Sequence, residues 1–229
     1  MLNFQLPSME NGPSNKMKSV YVAIPNYCSH LYHSVVFSLI RLVGEETKKG
    51  RKLAVEIVPR KRAPRVRNYI AHNALKFEMD YLLTIDDDHV FAPDSLSRLI
   101  AYDVDIIGAL SFIRSADMGG GLTPSIYKKV QDDPPRYQSI KQWERNSLIE
   151  VDGMGMAFVL IRRRVLEEVS PPWWWIPEEK GLGEDLYFCN KVRNAGFKIY
   201  CDTSVEAPHL TEPVLAHSSL YFQEREDAR

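Results

Sequence analysis

The chain has 229 residues, 45% hydrophobic and 26% charged, which is enough apolar material for a substantial core and excludes a largely disordered chain. A formal net charge of -1 excludes global attraction to nucleic acid or anionic lipid, so electrostatic recognition must come from a local cluster. Cys28, Cys189 and Cys201 form no C-x-x-C pair and are odd in number, which excludes a disulfide framework and points to a reducing cytoplasm.

Residues 1–17 lack periodicity and carry Pro7, Gly12 and Pro13, so a loose arm is expected there. The opening residues have neither the basic start nor the apolar run of a signal peptide, and no stretch reaches the ~18 apolar residues of a membrane span. A soluble, unprocessed protein is the expectation. Val20 to Ile24 is a short β-branched run ended by Pro25 and Asn26, as for a buried strand reaching a loop. From His30 to Val43 the apolar residues recur at helical spacing, and Gly44 predicts the helix end. Leu53 to Val58 reads as a strand, Val66 to Phe77 as a helix, and Tyr81 to Ile85 as a third strand.

This alternation calls for an α/β fold with a mostly parallel central sheet flanked by helices. Pro93 and Asp94 open a short helix that ends near Tyr102, and Val104 to Leu110 is a further strand. Ser111 to Ser147 is rich in Gly, Pro and polar residues, with Ser125 to Val130 as an edge strand. Leu148 to Val151 and Met156 to Ile161 follow as strands, and Arg163 to Val169 as a short helix. Gly183 to Ala195 reads as a helix and Phe197 to Cys201 as a strand.

Asp86, Asp87 and Asp88 follow the third strand directly, and ligands of parallel sheets gather outside the carboxyl ends of strands. Three adjacent carboxylates repel one another unless solvated or neutralised, so they suit a hard divalent cation, and a sugar diphosphate requires one. The same three residues also suit a solvated acidic turn that caps the next helix. Glu184 and Asp185 open a later helix, where Asp185 shares the inward face with Phe188, Cys189 and Val192. At the positive end of that helix Asp185 would stay ionised and could accept a proton from an attacking hydroxyl, or the pair could simply complement the helix dipole. His209 could join the carboxylates on a metal. The other histidines, His30, His33, His72, His89 and His217, fit no recognised zinc spacing and receive no role.

A basic run spans Lys48, Lys49, Arg51, Lys52, Arg60, Lys61, Arg62, Arg65 and Arg67. It reads as a solvated charged loop apart from Arg67, and no base-stacking aromatic pattern accompanies it, so no nucleic-acid partner is expected. Trp173, Trp174 and Trp175 suggest either an acceptor platform or anchors that hold their loop to the core.

With these pieces in order, the chain resembles the GT-A fold glycosyltransferases, in particular the large inverting family 2 type, over residues 18–210. The resemblance is carried by Ile24-Pro25-Asn26-Tyr27, by Arg67-Asn68, by Thr84-Ile85-Asp86-Asp87-Asp88 as a DxD motif, by the Val151 to Arg163 stretch containing Gly153 and Met154, and by Gly183-Glu184-Asp185-Leu186 continuing to His209. It implies a Rossmann-like sheet with a smaller acceptor-side sheet fused in one domain: a nucleotide-binding half over 18–110, an acceptor half over 111–210, and a C-terminal tail from 211 to 229. It further implies a divalent cation, manganese or magnesium, held by Asp88, Asp86 and His209, with a nucleoside-diphosphate-sugar as donor and a glycan or other hydroxyl as acceptor. Asp185 beside Glu184 would be the base of an inverting transfer. Pro25, Asn26, Arg67, Asp86 and Asp87 would line the nucleotide, and Gly153 and Met154 would border the acceptor. One departure concerns the base of the nucleotide. The family places an acidic residue just after the second strand, where this chain has Pro59-Arg60-Lys61-Arg62.

Two competing functions share parts of this pattern. A nucleotidyltransferase that makes nucleotide sugars would carry a Gly-rich basic loop after the first strand, where Pro25-Asn26-Tyr27-Cys28 stands. A non-catalytic glycan-binding protein would keep the fold and use the tryptophans.

Overall fold

In the first strand Val20, Val22 and Ile24 alternate with Tyr21 and Ala23, and all five are buried. Alternate side chains leave opposite faces of a strand, so this sheet must be covered on both sides. The computed structural model, which describes residues 17–27, 30–59, 62–114, 121–177, 181–211 and 214–216, shows both covers. The arm before residue 17, Cys28, Arg60, Lys61 and His217 lie outside the described residues.

The first half runs β1 (Val20–Asn26), α1 (His33–Lys48), β2 (Leu53–Pro59), α2 (Ala63–Lys76), β3 (Tyr81–Ile85), α3 (Ser95–Ala101) and β4 (Ile106–Leu110). Ten strands follow, seven before and three after a pair of helices. The first group is β5 (Phe112–Arg114), β6 (Leu122–Pro124), β7 (Ile126–Asp132), β8 (Pro135–Ser139), β9 (Leu148–Val151), β10 (Gly153–Met154) and β11 (Phe158–Arg162). After α4 (Arg163–Glu168) and α5 (Glu184–Asn194) come β12 (Ile199–Glu206) and the hairpin β13 (His209–Thr211) and β14 (Val214–Ala216).

The central sheet has the order β2-β1-β3-β11-β4-β12-β9. β2, β1, β3, β4 and β12 run one way, and β11 and β9 run against them. One face packs Val20, Val22, Ile24 and Leu83 against Leu39 and Leu42 of α1 and Leu96 and Leu99 of α3. The other packs Tyr21, Ala23 and Leu82 against Val66 and Ile70 of α2, Val165 of α4, and Phe188 and Val192 of α5. This is the expected Rossmann-like α/β architecture with small separate sheets beside the main one. Among the described residues no helix is long and apolar enough to cross a membrane.

Three local expectations change. α1 does not stop at Gly44 but continues to Lys48, and the turn comes at Gly50, whose φ of +84° suits glycine. The extra turn is held by Glu46, which is fully buried and accepts hydrogen bonds from Lys49, Arg51 and Ser97. The strand expected at Ser125 to Val130 is central rather than an edge, because β7 is flanked by β10 and β8 in its own three-stranded sheet. The strand expected to end at Cys201 runs on to Glu206, shifting register against β4 between Asp202 and Glu206.

Candidate active site

Because β1 and β3 are parallel neighbours with Ala23 opposite Thr84, their carboxyl ends deliver Asn26 and the three aspartates to the same place. Asn26, 2% exposed, donates from Nδ2 to Asp87 Oδ2 at 2.7 Å and to the His30 carbonyl at 2.8 Å. Asp87 therefore braces the loop between the two strand ends. Burial pushes its pKa upward, the neighbouring carboxylates of Asp88 and Asp86 add to this, and the Asn26 amide opposes it. Pro25 sits half-buried one residue before Asn26, paired in register with Val58 of β2.

Arg67 rises from α2 beneath these aspartates and is 5% exposed. Its Nη2 donates to Asp86 Oδ1 at 2.8 Å, its Nη1 to Thr84 Oγ1 at 3.2 Å, and its Nε lies 3.3 Å from Asp185 Oδ1. Burial alone would lower the pKa of the guanidinium, but the Asp86 and Asp185 carboxylates outweigh it and hold Arg67 charged. One buried cation thus counters two carboxylates that come from distant parts of the chain.

Asp185 reaches this point because α5 begins at Glu184, with Gly183 before it, and both acidic residues occupy its first turn. Its Oδ2 accepts a hydrogen bond from the Met156 backbone N–H at 3.2 Å. Burial pushes Asp185 up to about 6; Arg67 opposes this, while Asp86 and Glu184 add to it. A carboxylate tuned close to neutrality suits proton transfer better than one at its ordinary value, because a base works best with a pKa near the working pH.

On the other side of the aspartates, His209 begins β13 and pairs with His89 as an isolated antiparallel bridge. The Asp88 carboxylate bridges one edge nitrogen of each ring: His89 Nδ1 is 2.6 Å from Oδ1, and His209 Nε2 is 3.0 Å from Oδ2. The rings stack with centroids 4.6 Å apart and planes 2° from parallel. Burial would raise the Asp88 pKa, but hydrogen bonds from His209 and His89 hold it well below the usual carboxylate range. The same contact with Asp88 raises His209.

The donor atoms of Asp88, His89 and His209 all lie within 4.8 Å of one another. One carboxylate with two imidazoles is a donor set that a divalent transition ion accepts, so the residues present fit the cation expected here. His89 was missed in the sequence because its partner comes from the far end of the chain, and only the bridge brings the two together. The doublet Asp88-His89 was the available signal.

Gly153 and Met154 lie in β10, packed under α5. A Cβ on Gly153 would stand 2.7 Å from Leu186 Cδ2, and Met154, 1% exposed, fills the space above Gly108. Their neighbours Gly155 and Met156 are the ones that meet Asp185. Trp173 and Trp174 are each 1% exposed, whereas Trp175 is 55% exposed. Asn68 anchors this loop: its Oδ1 accepts from the backbone N–H groups of Trp173 and Trp174, and its Nδ2 donates to the Trp174 carbonyl. An acceptor platform of three indoles is thereby reduced to one. The basic run also divides, since Lys49 and Arg51 pair with Glu46 while Arg67 belongs to the site.

No protein-family model matches the chain, and no curated protein sequence matches it. Among solved structures it is similar to the protein A197 from STIV, at 19% identity and a TM-score of 0.54, covering 87% of this chain and 94% of that one. A glucose-1-phosphate thymidylyltransferase from Bacillus anthracis, solved in complex with a sucrose, aligns more distantly: 8% identity and a TM-score of 0.47 over 92% of this chain and 96% of that one. At such identities the likeness to A197 establishes the α/β fold.

Proposed function

We propose that the protein is a metal-dependent glycosyltransferase that moves a sugar from a nucleoside-diphosphate-sugar to a hydroxyl acceptor with inversion. The observation that carries this reading is the Arg67 contact to both Asp86 and Asp185, which sets a carboxylate with a pKa of about 6 beside a cluster of donors that could hold a metal. Asp88 and His209, with Asp86, would hold the cation, which when bound supplies positive charge against the donor diphosphate. Asn26 and Asp87 brace the loop on which the nucleotide would rest, with Pro25 and Arg67 beside it. Gly155 and the Met156 backbone lie beside Asp185 on the acceptor side, with Gly153 and Met154 buried beneath.

Asp185 takes the proton of the acceptor hydroxyl as that oxygen bonds to the anomeric carbon. The bond from that carbon to the diphosphate oxygen breaks, and its electron pair leaves with the nucleoside diphosphate. A single displacement inverts the anomeric centre. Glu184, next to Asp185, adds negative charge that keeps the base from becoming too weak. Arg67 limits this effect and keeps both acids in place.

The test is to incubate the protein with manganese and a panel of UDP-, GDP- and dTDP-sugars, measuring released nucleoside diphosphate for wild type and Asp88→Ala. Release from one donor, lost with chelator and in the variant, is expected. No release together with no metal-dependent donor binding by calorimetry would overturn the reading. A retained anomeric configuration in the product would remove the base role of Asp185.

A further inference from the structure

His89 is 5% exposed, and its ring is turned to the same carboxylate as that of His209. We propose that His89 is a further protein ligand of the divalent cation, so that two imidazoles, His89 and His209, join the carboxylates and the site takes a first-row transition ion in preference to magnesium. This rests on the metal-dependent reading above and deepens it by naming the class of metal.

The arrangement is held by the backbone as well as by the side chains. The Leu210 N–H donates to the Asp88 carbonyl at 2.7 Å, and the Val90 N–H to the Pro208 carbonyl at 3.0 Å, on either side of the His89 to His209 bridge. Each ring presents one nitrogen to a different oxygen of Asp88, with the planes 2° from parallel. One donor atom from each of Asp88, His89 and His209 lies within 4.8 Å of the others, close enough for the three to share one ion. Magnesium dehydrates reluctantly and favours oxygen ligands, whereas imidazole pairs with a carboxylate suit iron(II), cobalt(II), nickel and zinc.

The competing role for His89 is positional: a hydrogen bond that orients Asp88. The two roles separate when cobalt(II) and magnesium are titrated by calorimetry into wild type, Asp88→Ala, His209→Ala and His89→Gln. Circular dichroism would confirm the fold, and the visible bands of the cobalt-loaded forms would be recorded. Wild type should bind cobalt(II) tighter than magnesium. His89→Gln should weaken cobalt(II) about 10–100-fold, leave magnesium nearly unchanged, and alter the cobalt bands. Equal weakening of both metals with unaltered bands would overturn the ligand role and leave His89 as an orienting residue.

Pulsed electron paramagnetic resonance on manganese-loaded wild type needs no variant. Nitrogen couplings from two imidazoles are expected, and coupling from one would overturn the proposal. Loss of metal binding in Asp88→Ala and His209→Ala but not in His89→Gln would overturn this inference alone. Undiminished binding in all three would overturn the metal-dependent reading as well.

Discussion

The guanidinium of Arg67 stands 3.3 Å from the carboxylate of Asp185, so a helix of the first half of the chain and a helix near its end meet at one buried charge. The same Arg67 side chain also holds Asp86 at 2.8 Å. Arg67→Met leaves both acids without their counter-charge, and breaking such a buried pair costs about 3–5 kcal/mol. We expect a correspondingly lower urea midpoint. Arg67→Lys should recover only part of the loss, because an ammonium cannot span both acids as the fork does. A midpoint unchanged in Arg67→Met would show that the contact contributes nothing.

The elevated Asp185 gives opposite pH dependences for turnover and stability. The ionised form is the base, so kcat/KM should rise with pH through about 6 and level off above it. The folded pKa lies above the ordinary carboxylate value of 3.8, so the folded state binds the proton more tightly. That stabilisation is complete below the unfolded value and is lost as pH rises through about 6. Asp185→Asn should therefore be more stable than wild type at neutral pH, by on the order of 1–3 kcal/mol. The gain should vanish in acid, and turnover should be largely abolished. Denaturation curves at acid and neutral pH, run beside the kinetics, check both signs.

Cation binding should appear as stabilisation. At one hundred times the dissociation constant a ligand specific for the folded state adds about 2.7 kcal/mol. Manganese should raise the thermal midpoint of wild type, chelator should reverse the rise, and Asp88→Ala should show neither effect. An equal rise in the variant would place the ion elsewhere.

The tryptophans should separate sharply. Trp174 stacks on Phe188 with centroids 4.4 Å apart and planes 3° from parallel, and Trp174→Ala should cost about 3–5 kcal/mol. Trp175→Ala should change stability by less than about 0.5 kcal/mol. If Trp175 serves as an acceptor platform, its loss lowers transfer to acceptor and leaves donor hydrolysis intact. Unchanged transfer would exclude the platform.

At Gly153 an added methyl group would stand 2.7 Å from Leu186 Cδ2, the end of a half-buried side chain that can turn aside. Gly153→Ala should therefore cost less than the roughly 1–3 kcal/mol of a rigid overpacked site. The fall in kcat should not exceed what unfolded protein accounts for, as measured at a temperature well below the midpoint.

What the sequence made legible follows the range of the interactions involved. Val20 to Ile24 and Tyr81 to Ile85 are apolar runs whose ends are marked by neighbouring residues, so the strand ends that carry Asn26 and the aspartates could be read locally. The continuation of α1 past Gly44 could not, because it depends on Glu46 finding Ser97, 51 residues away. Nor could the antiparallel entry of β11 between β3 and β4, since Phe158 to Arg162 reads alike in either direction. Asp185 was legible as an acid on an inward helix face, but its tie to Arg67 was not. His89 went unassigned because the pattern that would reveal its role is completed by a residue on β13.

The position of β11 also limits how this molecule can move. The Ala157 carbonyl just before it accepts the Asp86 N–H at 3.0 Å, and the strand is bonded to β3 on one side and β4 on the other. Opening a gap between the early and late parts of the chain would mean unzipping two ladders in the middle of the sheet. A hinge between lobes, the usual way to admit and release a large substrate, is therefore closed to this architecture. On the proposed reading, a substrate would have to enter and leave without any parting of the sheet.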